Sequence, residues 1–251
     1  MVALAAASSL LIIFVFWGSP GAALGTIPLL IALGITTAFA LVAWYTRGVN
    51  LSGALTGWAI AFLLAAREIS MFWILLVVFA ITLGATRLGS DRKQQLRSAE
   101  RADGRSASQV VANLGIAAVA VALAPAGWPV YALAALAEAA ADTASSEIGM
   151  AFPGQTVLIT SWQRVPAGMD GGISIRGTSA AVAAAAVIAA IGRVAGLVTV
   201  HQASIVMYAG FLGTLVDSVL GALVERRGWI NNDLVNLLST AAAVGIAWLM
   251  A

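Results

Sequence analysis

The sequence predicts an all-α, polytopic transmembrane helix bundle of about nine spans, seven at the fewest, with a small hairpin loop on its cytoplasmic side. Three observations lead there. Of 251 residues, 61% are hydrophobic and only 10% charged, and the mean hydropathy of +0.97 is beyond what a soluble domain needs. Charge clusters and Gly/Pro turns cut the chain into nine apolar segments. The Lys and Arg residues then fall into alternate loops, as the positive-inside rule requires.

Taken in order, the segments are Val2–Trp17, Leu24–Tyr45, Leu51–Ala66, Met71–Thr86, Gln109–Ala124, Trp128–Ile148, Thr178–Val200, Ser204–Val224 and Leu234–Met250. Several are nearer 16 residues than the ~20 that cross a bilayer comfortably, so tilted or re-entrant pieces are expected among them. The first has the length of a signal-peptide core. No positive residue precedes it and a Gly-Ser-Pro-Gly turn follows at Gly18, so it reads as a retained helix.

With the N-terminus inside, the even-numbered loops carry Arg47, then Arg87, Arg92, Lys93, Arg97, Arg101 and Arg105, then Arg164 and Arg176, then Arg226 and Arg227. That leaves only Arg67 and Arg193 at outer turns. The chain is expected to form one membrane-embedded domain, 1–251, in a prokaryotic plasma membrane. Residues 87–108 make a basic cytoplasmic loop and 149–177 a Gly-rich one. The net charge of +2 suits anionic headgroups or phosphates, and no basic soluble domain is present to bind nucleic acid. There is no cysteine, which excludes disulfides and thiolate metal sites.

The sixth segment carries the feature that most needs a reason. Glu138, Asp142 and Glu147 interrupt an otherwise apolar, Ala-rich stretch. A carboxylate at membrane depth costs about 2.5 to 3.5 kcal/mol on insertion scales, so three of them call for a partner, a metal or a water-filled cavity. The other polar residues gather at the same cytoplasmic level: Gln109 and Asn113 one turn apart, Ser145 and Ser146, Asp217, Ser218 and Glu225, then Asn232, Asp233 and Asn236. The outer ends offer His201, Gln202 and Arg193, and a lone His at a turn reads as a solvated loop residue.

Helical geometry sorts the acids. Glu138 and Asp142 are one turn apart, and Ser145, Ser146 and Gly149 continue their stripe. Glu147 stands about 140° round from Asp142, so it joins them only if the helix loosens near Ser146, or else faces another part of the bundle. In the eighth segment Gly213, Asp217 and Gly221 recur every four residues, which lets a neighbouring backbone approach the carboxylate.

The loop from Gly149 to Gly177 has short β-branched runs, Thr156 to Thr160 and Gly172 to Ile175, around a turn region at Trp162 to Pro166. These predict a small surface hairpin. Gly168-Met169-Asp170-Gly171-Gly172-Ile173-Ser174, then Gly177-Thr178 opening a helix, could cradle an anion on backbone N–H groups, though Gly-Gly beside Asp is also an ordinary turn. In the long basic loop, Lys93 is the chain's only lysine and Arg105 precedes the Gln109/Asn113 face. An ammonium and a guanidinium at the mouth of a carboxylate-lined pocket are the groups that hold a nucleoside triphosphate whose magnesium the carboxylates bind.

Arg105-Ser-Ala-Ser-Gln-Val-Val-Ala-Asn113, Ala141-Asp-Thr-Ala-Ser-Ser-Glu-Ile-Gly149, Asp170-Gly-Gly-Ile-Ser174, Gly177-Thr178, Asp217-Ser-Val-Leu-Gly-Ala222 and Asn232-Asp-Leu-Val-Asn236 form an ordered series. It resembles the motif series of the phytyl-phosphate kinase family of integral membrane proteins, distantly like the polyprenol kinases and CDP-diacylglycerol synthases. The likeness runs from about Arg87 to Asn236, with Met169 as a departure where a small hydroxyl residue is expected. It implies a Mg²⁺-dependent phosphotransferase moving the terminal phosphoryl group of a nucleoside triphosphate, CTP favoured, to an isoprenyl monophosphate such as phytyl or geranylgeranyl phosphate.

Set on that chemistry, Asp142 and Asp217 are the first choice of metal ligands, with Asp233, Asp170 and Glu147 next. Asp142, Asp217 and Glu147 make up the expected catalytic set. Lys93, Arg105, Ser146, Asp170, Gly171, Gly172, Ser174, Thr178 and Ser218 would hold phosphates, and Asn113, Asn232 and Asn236 would orient the nucleotide or a metal-bound water. Oxygen donors without Cys or a His cluster favour Mg²⁺ over zinc or copper. Two other readings stay open. An isoprenoid alcohol kinase would need a base, for which Glu138 or Glu147 could serve. A cation-coupled transporter would use the intramembrane carboxylates, but wants polar groups near the midplane and on both sides.

Overall fold

A computed structural model describes residues 26–95, 104–123, 126–152 and 154–251. The first expected span, Val2–Trp17, lies outside them, as do Arg97, Glu100, Arg101 and Asp103. The helices are α1 (Thr26–Tyr45), α2 (Leu51–Arg67), α3 (Ser70–Arg87), the short α4 (Ser90–Gln95), α5 (Ala107–Leu123), α6 (Trp128–Ala151), α7 (Ile175–Val194), α8 (Val200–Leu220) and α9 (Asn232–Met250). Between α6 and α7 lie three strands, β1 (Thr156–Leu158), β2 (Arg164–Val165) and β3 (Gly172–Ser174).

The helix starts follow local chemistry. Asn50 Oδ1 accepts the Gly53 amide at the head of α2, and Ser174 Oγ accepts the Gly177 amide at the head of α7. Thr199 and Gln202 close a reciprocal capping box on α8, and Asn231 caps α9. Each satisfies a backbone donor that the first turn would leave unpaired. Gly127, in the left-handed region, turns the chain into α6, where a proline stands in the first turn.

The expectation of nine spans is corrected. Among the described residues five helices are long and apolar enough to cross a membrane: α1, α3, α7, α8 with its extension to Glu225, and α9. Two of the expected spans, α2 and α5, have 17 residues each. They rise about 25 Å, short of the ~30 Å hydrocarbon core. The sixth segment does form a helix, α6, of 24 residues, but its acids hold its hydropathy down. The all-α integral membrane bundle stands; the count does not.

Helix α6 is the axis of the bundle, packed against α3, α4, α5, α7, α8 and α9. From Ala132 to Ala141 every residue on it is buried. Alanine suits that position, because it loses no side-chain entropy in a helix and lets neighbouring backbones come close. Where α8 crosses it, a methyl group added to Gly210 would stand 2.7 Å from the Ala137 Cβ, and one on Gly213 would stand 2.6 Å from the Glu138 Cγ. In contrast, α1 lies on the periphery with only Ala32, Thr36 and Ala43 buried.

Alternate connections meet at one end. Val49 bridges to Arg105, Lys93 reaches Glu147, and the Asp170–Gly171 turn lies against Gly221. At the opposite end the Arg67 guanidinium stands 5.8 Å over the Trp128 ring. The expected hairpin is a three-stranded antiparallel sheet in the order β2-β1-β3, with Thr156 opposite both Val165 and Ser174. The turn region supplied the third strand.

Candidate active site

Two features adjoin at the polar end. One is a cavity of about 570 Å³ between α1, α2, α3, α5 and α6. Its mouth is polar, lined by Thr46, Arg47, Thr86, Arg87, Lys93, Arg105, Gln109 and Glu147. Its body is apolar and aromatic, with Phe39, Ala43, Trp58, Leu75, Val78 and Phe79. Along α3 the lining runs from Thr86 down to Leu75, a depth of about 16 Å.

The second feature is the carboxylate group on α6 and α8. Asp142 and Asp217 come together from α6 and α8, close enough for each carboxyl group to act on the other. Glu138 lies one turn deeper, 1% exposed. Ser239 of α9, fully buried, stands within reach of both Glu138 and Asp217. Two oxygens here, Glu138 Oε1 and Asp217 Oδ2, are buried without a hydrogen-bond partner. A buried carboxylate oxygen left so is costly, which marks the place for a further group.

Arg105 joins the two features. Its side chain lines the cavity and its charge acts on Asp142. Its backbone is fixed from below: the Arg105 amide donates to Gly48 O at 3.2 Å, and Arg105 O accepts the Asn50 amide at 3.0 Å. The turn between α1 and α2 thus sets where the guanidinium can reach.

Of the expected residues, Asp142, Asp217 and Arg105 come together. Glu147 takes the other direction that its 140° offset allowed, because α6 stays helical through Ala151. It faces the cavity mouth, where Lys93 Nζ lies 2.5 Å from Glu147 Oε2, 2.9 Å from Ala85 O and 2.6 Å from Thr86 O. Those three acceptors use all three ammonium donors. The lysine expected to hold phosphate is instead a buried tie between the end of α3, α4 and α6.

The glycine loop is likewise committed. The Gly172 amide donates to Met169 O at 2.8 Å and the Gly177 amide to Ser174 Oγ at 3.1 Å. Its glycines serve close packing: Gly171 lies against Ala222, and Gly177 against Ser145 O. Asp170 is exposed on this loop, and its charge bears on Glu225. Ser218 Oγ turns back to Thr214 O, and Asn113 Nδ2 to Gln109 O. Asn113 nonetheless borders the cavity. Ser146 and Asn232 are exposed, while Thr178, Asp233 and Asn236 are half-buried. Asp233 sits in the first turn of α9, where its charge complements the helix dipole.

Sequence reading missed Ser239 and the aromatic lining of the cavity. Ser239 lies three residues after Asn236, on the same helix face, so the signal was present. The lining had none, because aromatic residues in membrane helices look alike whether they face lipid or a hollow.

Among the described residues no three His, Cys, Asp or Glu side chains converge tightly enough to enclose a metal ion by themselves. Asp142 and Asp217 do fit a hard divalent cation that takes its remaining ligands from phosphates and water. They are oxygen donors from two helices, with one oxygen buried and unpartnered.

A hollow with a charged mouth and an apolar body, set beside paired carboxylates among apolar helices, belongs to a helical integral membrane protein. The family described as Integral membrane protein DUF92 matches residues 34–244. The chain belongs to this family, as the motif series from Arg105 to Asn236 implied. Relatives include an uncharacterized membrane protein of Synechocystis, 30% identical over 70% of this chain and 72% of that protein. Another, of Methanocaldococcus jannaschii, is 35% identical over 66% and 70% respectively. Protein VTE6, chloroplastic, of Arabidopsis thaliana is 30% identical over 71% of this chain and 58% of that protein. No solved structure matches significantly.

Proposed function

We propose that this chain is a kinase that transfers the terminal phosphoryl group of a nucleoside triphosphate, CTP by preference, to an isoprenyl monophosphate at the cytoplasmic membrane face. The observation that carries this is the cavity, whose apolar body is shaped for a tail and whose mouth opens beside Arg105 and Asp142. A phosphate at that mouth has its counter-ion in Arg105, whose planar fork suits phosphate oxygens.

An isoprenyl monophosphate is already ionised at neutral pH, so one of its oxygens can attack the γ-phosphorus without a base. A new P–O bond forms, the bond to the β,γ-bridging oxygen breaks, and the nucleoside diphosphate leaves. The protein has then only to align and neutralise. Asp142 and Asp217 would hold Mg²⁺, which when bound offsets the charge that two anionic substrates and two carboxylates bring together. Arg105 orients the acceptor phosphate. Glu147 and Lys93 fix the mouth.

The confinement of these groups to one end of the bundle favours this reading over a transporter. The test is phosphoryl transfer by detergent-purified protein, with γ-labelled CTP or ATP, Mg²⁺, and phytyl or geranylgeranyl monophosphate beside the matching alcohols. Label in a prenyl diphosphate, lost in Asp142→Asn, is the expected result. Label in a monophosphate made from the alcohol would point to an alcohol kinase, and no label in any lipid would sink the kinase reading.

A further inference from the structure

We infer that Phe39 sets the length of isoprenyl tail the cavity accepts, an inference that rests on the isoprenyl-phosphate reading above. The cavity's deep end lies away from Arg105, toward the middle of the bundle. Its deepest lining residues on successive helices are Phe39, Trp58, Leu75, Leu114 and Ala139. Of these, Phe39 has a second role. Its ring stands edge-on to Phe79, 5.1 Å away in the cavity wall, and edge-on to Phe72, 5.8 Å away.

Phe72 does not line the cavity. It belongs to a separate buried cluster with Ala32 and Ala65, against which Ile35 and Phe62 pack. Phe39 is therefore the partition between the hollow and that cluster. A tail that enters from Arg105 can extend between α1 and α3 until it meets this ring, and a longer tail must bend or leave its end outside. Removing the ring adds its volume to the hollow beside Phe72 and Phe79, along the axis of the tail.

The opposite change is available at Gly57. It lines the cavity, and a Cβ built on it meets only Val110 Cγ1, at an ordinary 3.8 Å. A larger side chain there projects into the hollow without striking backbone. The two positions shift the limit in opposite directions, so a general loss of stability cannot imitate the pair.

The experiment measures binding of isoprenyl monophosphates of two, three, four, six and more isoprene units to the full chain in detergent, with no nucleotide. Each unit that fits adds apolar burial, so affinity climbs several-fold per unit and then stops climbing. In Phe39→Ala the break moves at least one unit longer, with Phe39→Leu as a milder version; in Gly57→Leu it moves at least one unit shorter. A break that stays in place in both variants, each shown to melt cooperatively, overturns the assignment of Phe39, as does affinity that ignores tail length in the wild type. A break that moves as expected, with no phosphoryl transfer from any nucleotide, keeps the gauge and removes the kinase.

Discussion

Gly53 lies so close beneath the carbonyl of Arg105 that a methyl group added to it would stand 2.2 Å from that oxygen. No side chain fits there without moving the Arg105 backbone. Gly53→Ala therefore breaks the 3.0 Å bond from the Asn50 amide and displaces the guanidinium, with no change of charge anywhere. A displacement near 1 Å at a positioning group costs about a hundredfold in rate. Turnover of Gly53→Ala is expected to fall to the level of Arg105→Ala, and a variant with wild-type kcat/KM would detach Arg105 from the reaction.

Asp142→Asn and Asp217→Asn are each expected to lower kcat by about 10²- to 10³-fold, the scale of losing one element of charge stabilisation. The double variant should be little worse than either single one, because the two carboxylates act as a unit. Steady-state rates for the three proteins decide this. Losses that multiply would mean two independent roles.

The Lys93–Glu147 pair is nearly shut off from solvent, with side-chain exposures of 3% and 12%. Removing one partner strands a buried charge, so Lys93→Met or Glu147→Gln should destabilise by about 3 to 5 kcal/mol. The combined Lys93→Met/Glu147→Leu variant should recover part of that. Thermal melting in one detergent compares them; equal melting temperatures across the series would mean that the pair does not hold the mouth.

Gly171 has φ +75°, and a Cβ on it would meet the Ala222 Cβ at 2.5 Å. Gly171→Ala combines a left-handed backbone with a clash, and should undock the turn from the end of α8 at a cost of about 1 to 3 kcal/mol. Limited proteolysis between β1 and α7 should then be faster, while the transmembrane helices stay protected. Unchanged cleavage would place no weight on this contact.

Much of this was legible in sequence, for reasons that differ by residue. The meeting of Asp142 and Asp217 followed from alternate loops sharing one end and from glycines every four residues around Asp217. The divergence of Glu147 followed from 100° per residue, but its partner did not, since pattern alone does not say where Lys93, in a short helix of its own, will lie. The count of spans failed because apolar segments of 16 or 17 residues resemble each other whether they cross lipid or wrap a buried helix. Ser174 was read as a phosphate ligand, and the structure adds a helix cap that the sequence reading did not name: its Oγ accepts the Gly177 amide at 3.1 Å, which leaves its own O–H to donate.

The axial place of α6 also bears on how the protein is made. The helix that every neighbour encloses is the one whose acids make it least welcome in lipid alone. Its partners α7, α8 and α9 all follow it in the chain, so α6 leaves the ribosome before the shield that makes it tolerable exists. During synthesis its acids have only the earlier helices α3, α4 and α5 to shelter against until the second half of the bundle follows.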